Sequence, residues 1–391
     1  MKTAPSAPLL SNSDIVELTD WRRHLHRYPE VSGKEAETAR RVREMLVSNH
    51  PSDVIRDLGG HGVAAIYQGR GKGPTVLLRC ELDALPIAEI GDLAHRSEVA
   101  GKGHLCGHDG HMAILAAVAR VLGRNRPARG RVVLLFQPAE ENGSGAAAVI
   151  ADRRYADIRP DYAFALHNMP GVALGRVELC KGAVNCASRG LRIVLTGKTA
   201  HASEPDKGLS PMAAMAKLMP GLAALGAGTD HRRDDFRLVT VTHAQLGEPA
   251  FGIAPGAGEV WATLRCLRDD QMAALCAEAE ALVMRMAQEM GLEVACSYHD
   301  VFLHCENHPE AVQILQAALD AQGIVHDRGN LPMRASEDFG RFGATAKSAM
   351  FMLGAGRDHA SLHNPDYDFP DDLIAIGAGV FLQVVADLLG D

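Results

Sequence analysis

Three short apolar runs set the fold class of this chain. PTVLLRC ends at Cys80, RVVLLF at Phe136 and YAFAL at Leu166, and each is the length of a buried strand. Between the first two lies MAILAAVARVLGRN, which reads as a helix apolar on nearly every side. A strand, a helix and a strand in that order predict parallel pairing in an α/β sheet. A fourth run, KSAMFMLGAG, falls near the C-terminus and can rejoin the same sheet.

Ahead of these runs, Ser13 to Tyr28 carries Ile15, Leu18, Trp21 and Leu25 at helical spacing, with Pro29 beyond its end. SGKEAETARRVREML predicts a second helix, with Ser32 and Glu35 in a capping-box pattern. Gly69, Gly71 and Gly73 sit between two strand-like runs. No helix follows them and no G-K-[ST] occurs, so they read as a hairpin turn and not a phosphate loop.

From about Ala187 the pattern changes to strand, helix, strand, strand, helix, strand, the ferredoxin-like split order. A unit of roughly 110 residues is large enough for its own core. With 391 residues in all, the chain reads as an α/β catalytic domain over 1–186 and 299–391. A smaller α+β domain is inserted at 187–298.

Composition narrows the function classes. A net charge of −8, from 48 acidic against 40 basic residues without a long basic block, argues against nucleic acid as a partner. No run of 18 apolar residues predicts a membrane span. The first residues lack an apolar signal core, so they read as a loose tail and the protein as cytoplasmic. Cysteines at 80, 106, 180, 186, 266, 276, 296 and 305 form no C-x-x-C pair, and no disulfide framework is expected.

Chemistry-bearing residues follow each strand-like run. Asp83 comes after the first, Glu140 and Glu141 after the second, and His167 after the third. Open α/β sheets bind ligands at the carboxyl ends of their strands, so these side chains should converge. GHLCGHDGHMA, at Gly103–Ala113, adds Cys106, three histidines and Asp109, and the late segment RDHASLHNPDYDF brings His359 and His363. Thiol, imidazole and carboxylate together suit a borderline metal such as zinc, or manganese, cobalt or nickel. In an extended loop the side chains of Glu140 and Glu141 would point apart. One would bind metal while the other serves as general base and acid in amide hydrolysis.

The ordered set WRRHLHRYPEVS, ELDALP, CGHDGH, FQPAEE, GKTAHASEP, ASEDF and LHNPDYDFPDD resembles the M20 metallopeptidase family. It resembles in particular the amidohydrolase branch of aminoacylases, hippurate hydrolases and auxin-conjugate hydrolases. The resemblance covers nearly the whole chain. It implies two divalent ions per subunit, with Cys106 bridging and His108, Glu141, His167 and His363 as further ligands. It implies Glu140 as general base and acid, and Asp83 and Asp109 as carboxylates that orient ligands. His104, His111 and His359 match no ligand position. The inserted domain would be a lid and the site of homodimerisation. His201 would reach the reacting carbonyl, often from the partner subunit.

Two departures stand out. Gly252, in GIAP, replaces an Asn that contacts substrate in the family, and Cys80 and Glu81 alter the usual Arg-Ala-Asp-Met-Asp run. Arg265 and Arg334 are candidates for gripping a substrate carboxylate. The expected activity is hydrolysis of small N-acyl amino acids. The alternatives are a dipeptidase or aminopeptidase on the same scaffold, a metal-dependent binding protein without turnover, and a metal-free protein with a redox-sensitive Cys106.

Overall fold

The computed structural model describes residues 9–226, 230 and 232–390. The first eight residues, most of the expected tail, lie outside the described residues. The chain divides into two compact units. One comprises Met1–Val184, Glu306–Leu331 and Asp338–Asp391, and the other Asn185–Cys305 with Pro332–Glu337. The inserted unit thus runs past the expected boundary at 298 and takes in a short later segment.

The first unit opens with α1 (Asn12–Arg27) and α2 (Ala36–Ser48), followed by β1 (Asp53–Leu58), β2 (Gly62–Gln68) and β3 (Gly71–Glu81). Then come α3 (His108–Arg124), β4 (Arg129–Gln137), α4 (Gly145–Ala151), β5 (Tyr162–Pro170) and β6 (Val177–Glu178). The second unit supplies β7 (Ala187–Thr196), α5 (Met212–Ala223), β8 (Arg237–Leu246), β9 (Ala257–Cys266), α6 (Asp269–Glu289) and β10 (Glu293–Phe302). The chain returns to the first unit with α7 (Pro309–Ala321), β11 (His326–Asp327), β12 (Lys347–Gly356) and α8 (Leu373–Leu389).

Eight strands of the first unit form one sheet in the order β1-β2-β4-β3-β5-β12-β6-β11. Its centre, β4-β3-β5-β12, is parallel throughout, with Val76 opposite Val132 and Met350 opposite Ala165. Val76, Leu77 and Leu78 are all fully buried, as a central strand covered on both faces requires. The helix α3 crosses from β3 to the parallel β4 and packs against α1, α8 and β3. Every residue of α3 from His108 to Ala119 is buried, which accounts for its apolar run without a wet stripe. β12 pairs with β5, so the late run does rejoin the sheet.

Three local expectations fail. The turn at Gly69, Gly71 and Gly73 closes no hairpin, because β4 lies between β2 and β3 and pairs antiparallel with the first and parallel with the second. Ser11 and Asp14 form a reciprocal capping box on α1. The pattern at Ser32 and Glu35 forms none, and α2 begins at Ala36 without a side-chain cap. Ser32 instead donates its hydroxyl to Asp83 at 2.7 Å, and Glu35 accepts the amide of Ala139 at 2.8 Å. The third strand does not stop at Leu166; β5 continues to Pro170, which places His167 on the strand itself.

In the second unit the four strands are antiparallel in the order β8-β9-β7-β10, joined as strand, helix, strand, strand, helix, strand. In β9, Gly258, Val260, Ala262, Leu264 and Cys266 are buried on alternate positions. Val260, Ala262 and Leu264 share a core with Leu218 and Leu222 of α5 and with Leu275 and Val283 of α6. All eight cysteines are free thiols. No helix among the described residues is long and apolar enough to cross a membrane.

Candidate metal centre

The start of α3 explains the two glycines of CGHDGH. Gly107 is left-handed, with φ +89°, and a Cβ there would lie 2.3 Å from Asn168 Oδ1. A Cβ on Gly110 would meet the ring of Phe369 at 2.2 Å. The chain can therefore enter the helix pressed against β5 and the C-terminal segment. That close packing brings Cys106 and His108 to the carboxyl ends of the strands.

His108 is wholly buried and donates Nδ1–H to the backbone carbonyl of Asp83 at 2.8 Å. Its Nε2 has no hydrogen-bond partner among the described residues. That nitrogen lies 3.9 Å from Glu140 Oε2 and 3.9 Å from Glu141 Oε1. The two glutamates do not sit in an extended loop with side chains diverging. They occupy a turn after β4, entered through Ala139 at φ +50°, and both carboxylates approach the same imidazole. Asp83 fixes that turn by accepting Glu140 N–H at Oδ1 (3.1 Å) and Glu141 N–H at Oδ2 (3.0 Å).

Cys106 Sγ lies 3.4 Å from His167 Nε2, and His167 donates its Nδ1–H to the carbonyl of Asn168 at 2.9 Å. His363, left-handed at φ +66°, brings Nε2 to 3.6 Å from Glu141 Oε2. Three donor sets result: Cys106 with His108 and His167, Cys106 with Glu141 and His363, and His108 with Glu140 and Glu141. Within each set the donor atoms lie within 4.8 Å of one another.

These residues fit a bound divalent metal. Two donors about 2.0–2.3 Å from one tetrahedral ion sit roughly 3.3–3.8 Å apart, close to the separations found here. Each of His108 and His167 spends Nδ1–H on a backbone carbonyl and turns Nε2 inward, the usual second hydrogen bond of a metal-bound imidazole. The orphaned Nε2 of His108 is a buried acceptor that otherwise lacks a reason. Burial, and then the neighbouring His111, push His167 down to about 3, so its imidazole is a neutral donor. Burial, then Glu141 and Glu140, push the Cys106 thiol up.

Residues without an assigned role in the sequence complete the surroundings. Glu81 and Arg79 interrupt the apolar β3 two positions apart, and both are buried. His111, set aside as a non-ligand, is held between Glu81 Oε2 (2.6 Å) and Asn168 Oδ1 (2.6 Å). Its ring centroid lies 4.9 Å from that of His167. Glu81, His108 and His111 form a further donor set. Arg79 contacts Glu81, Gln137 Oε1 at 3.0 Å and Asp338 Oδ1 at 2.7 Å. Charged residues inside a buried strand were the available signal for this network.

Asp109 was expected to orient a metal ligand. Its hydrogen bonds among the described residues go instead to His26 Nδ1 at 2.9 Å and Arg22 at 3.2 Å. Both partners belong to α1. His104 is buried, the ring of His359 lies tilted against that of Tyr367 with centroids 5.2 Å apart, and neither histidine is in a donor set among the described residues.

The remaining candidates lie in the second unit. His201 is exposed, faces Ile253 across a two-stranded ribbon and shares a hydrogen bond with Ser203 Oγ at 2.7 Å. A Cβ on Gly252 would stand in open space, and its carbonyl accepts Ala202 N–H at 3.1 Å. Arg265 Nη1 donates to the Arg334 carbonyl (3.0 Å) and to Ser336 Oγ (2.8 Å). Arg334 itself is exposed.

The sequence model of peptidase family M20/M25/M40 matches residues 77–387. The chain is 29% identical to a hippurate hydrolase of Campylobacter jejuni over 94% of its own length and 95% of that protein. It is also 29% identical to an N-acetyl-L-cysteine deacetylase of Bacillus subtilis, over 96% of this chain and 88% of the relative. Among solved structures, a putative aminohydrolase of methicillin-resistant Staphylococcus aureus superposes with a TM-score of 0.83 at 26% identity, covering 96% of this chain and 97% of its own. A protein of Bacillus subtilis, described as a dinuclear metal binding peptidase from the M20 family, has the same fold. Its TM-score is 0.81 at 23% identity, and the match covers 97% of this chain and 99% of that one. The chain belongs to peptidase family M20/M25/M40 and is a hydrolase of amide bonds.

Proposed function

We propose that the protein hydrolyses N-acyl amino acids, releasing a carboxylic acid and the free amino acid, with two divalent ions held by Cys106, His108, Glu141, His167 and His363. The observation that carries this reading is the convergence of Glu140 and Glu141 on the inward nitrogen of His108. One carboxylate is enough to complete a ligand set, and the second is then available for proton transfer. The relatives named for acyl-amino acid hydrolysis support the substrate class.

Bound ions would supply Lewis acidity toward the amide carbonyl and a lowered pKa for water. Glu140 takes the proton as water attacks the carbonyl carbon and delivers it to the departing nitrogen as the C–N bond breaks. Asp83 holds both glutamates by their amides, so the base keeps its aim through the cycle. As the family resemblance implies, His201 of the partner subunit would donate to the carbonyl oxygen as negative charge gathers there. The reading includes a homodimer through the second unit, whose sheet ends in β8 and β10.

Protein reconstituted with zinc, manganese, cobalt or nickel is assayed on N-acetyl, N-benzoyl and indole-acyl amino acids and on free dipeptides. Turnover of acyl amino acids above dipeptides supports the reading; the reverse order assigns a dipeptidase. Glu140→Gln should lose at least about a hundredfold in kcat with full metal content. Near-normal turnover by that variant refutes the role of Glu140.

A further inference from the structure

We infer that Glu35 is a positioning residue for the reaction, holding the Glu140–Glu141 turn in its active shape through the amide of Ala139. The inference rests on the reading that Glu140 and Glu141 carry proton transfer and metal binding.

Ala139 adopts φ +50° in a buried site, a left-handed conformation that costs an L residue energy and persists only where neighbours impose it. Three consecutive amides of the turn are each held by a carboxylate oxygen. Ala139 N–H goes to Glu35 Oε1 at 2.8 Å, Glu140 N–H to Asp83 Oδ1 at 3.1 Å, and Glu141 N–H to Asp83 Oδ2 at 3.0 Å. The carbonyl side of the turn is closed by Gly145 N–H on Ala139 O at 2.9 Å and Gly143 N–H on Glu140 O at 2.8 Å. Asp83 alone leaves the left-handed residue unheld at its amide; Glu35 supplies that contact.

Glu35 and Ser32 come from one short segment ahead of α2. That segment docks on the loop after β3 through Ala84 N–H to Glu30 O at 2.8 Å and a bridge between Val31 and Ala84. Ser32 steadies Asp83, and Glu35 reaches past it to Ala139. The glutamate is fully buried, makes no helix cap and belongs to no donor set. A buried carboxylate without a paired cation is costly to keep, and burial pushes its pKa up. The amides of Gly33 and Ala139, at 2.8 Å each, both donate to Oε1, while Oε2 has no hydrogen-bond partner among the described residues. An amide oxygen can replace Oε1 in both bonds, so the charge is dispensable and the acceptor is not.

The full-length protein is compared as wild type, Glu35→Met, Glu35→Gln and Glu140→Gln. The readouts are kcat and KM on the best acyl amino acid, zinc affinity by chelator competition, and thermal unfolding. Glu35→Met removes the acceptor at similar volume. It is expected to lose roughly tenfold to a hundredfold in kcat with little change in KM, and to bind zinc about tenfold more weakly. Glu35→Gln is expected to rescue both to within a few-fold. If Glu35→Met does not fold, Glu35→Asp, which withdraws the oxygen by one methylene, takes its place with the same expectation. A folded Glu35→Met or Glu35→Asp with wild-type kcat and zinc affinity overturns the inference. A Glu35→Gln variant as impaired as Glu35→Met does so too. An active Glu140→Gln overturns the underlying reading, whereas an inactive one beside an undisturbed Glu35→Met overturns the inference alone.

Discussion

His108 donates Nδ1–H to the backbone carbonyl of Asp83, and the carboxylate of the same aspartate accepts the amides of Glu140 and Glu141. One residue therefore sets the tautomer of an imidazole and the aim of two carboxylates. The substitution Asp83→Asn separates these tasks. The backbone carbonyl and its bond to His108 survive. Asparagine offers one acceptor oxygen, and its NH2 must face an amide N–H or the Ser32 hydroxyl. The variant should fold and lose roughly tenfold to a hundredfold in metal affinity, measured by chelator competition. Affinity equal to wild type would show that the turn needs no help from Asp83.

Cys106 belongs to two of the donor sets, with His108 and His167 in one and Glu141 and His363 in the other. The proposed role of Cys106 as a metal ligand would account for that placement. Cys106→Ala should lower metal content per chain by elemental analysis after dialysis, with the α/β fold intact by circular dichroism. Two ions per chain retained by the variant would remove Cys106 from the ligand set.

Arg79 tests the buried network behind the site. Its guanidinium contacts Glu81, Gln137 and Asp338, and both acidic partners are buried. Arg79→Met leaves two carboxylates in the interior without their cation, a loss of about 3–5 kcal/mol. Urea unfolding of the metal-free protein measures it directly. A loss below about 1 kcal/mol would mean that water or a shift of protonation replaces the arginine at little cost.

Much of the layout was legible because it is written in local patterns. Short apolar runs made β3, β4, β5 and β12 readable as strands of one buried sheet. The rule that parallel strands present their carboxyl ends to a ligand places Asp83, Glu140, Glu141 and His167 in one region. What stayed hidden depends on partners far apart in sequence. Arg79 meets Asp338 across 259 positions and Arg22 meets Asp371 across 349. Spacing rules contain no information on such pairs. The capping-box pattern at Ser32 and Glu35 misled for the same reason. Both side chains obey a local rule in composition, but Asp83 and Ala139 offer buried partners that the helix end cannot match. Asp109 is adjacent to His108 in sequence, yet its side chain bonds to Arg22 and His26.

His26 gives the first unit a distinctive dependence on pH. Its Nδ1 lies 2.9 Å from Asp109 Oδ2 and its Nε2 3.3 Å from Glu89 Oε1, so both nitrogens face carboxylates. Asp368 stands 3.9 Å away, the rings of His95 and His104 lie at 5.4 and 6.4 Å, and the guanidinium of Arg22 shares Asp109. Burial is the largest single influence and favours the neutral ring. The charge of Asp109 and the hydrogen bonds to Asp109 and Glu89 outweigh it and lift His26 from 6.5 to about 9, against opposition from Arg22. A folded pKa above the unfolded one means that the proton stabilises the fold. That stability is complete below about pH 6.5 and is lost as the pH rises through about 9. A shift of this size corresponds to roughly 3 kcal/mol. Unfolding free energies at pH 6, 8 and 10 should therefore fall more steeply for wild type than for His26→Gln, which cannot titrate. The difference between the two curves isolates His26 from every other titrating group. Parallel curves would mean that His26 is neutral in the folded protein, with one carboxylate carrying the proton.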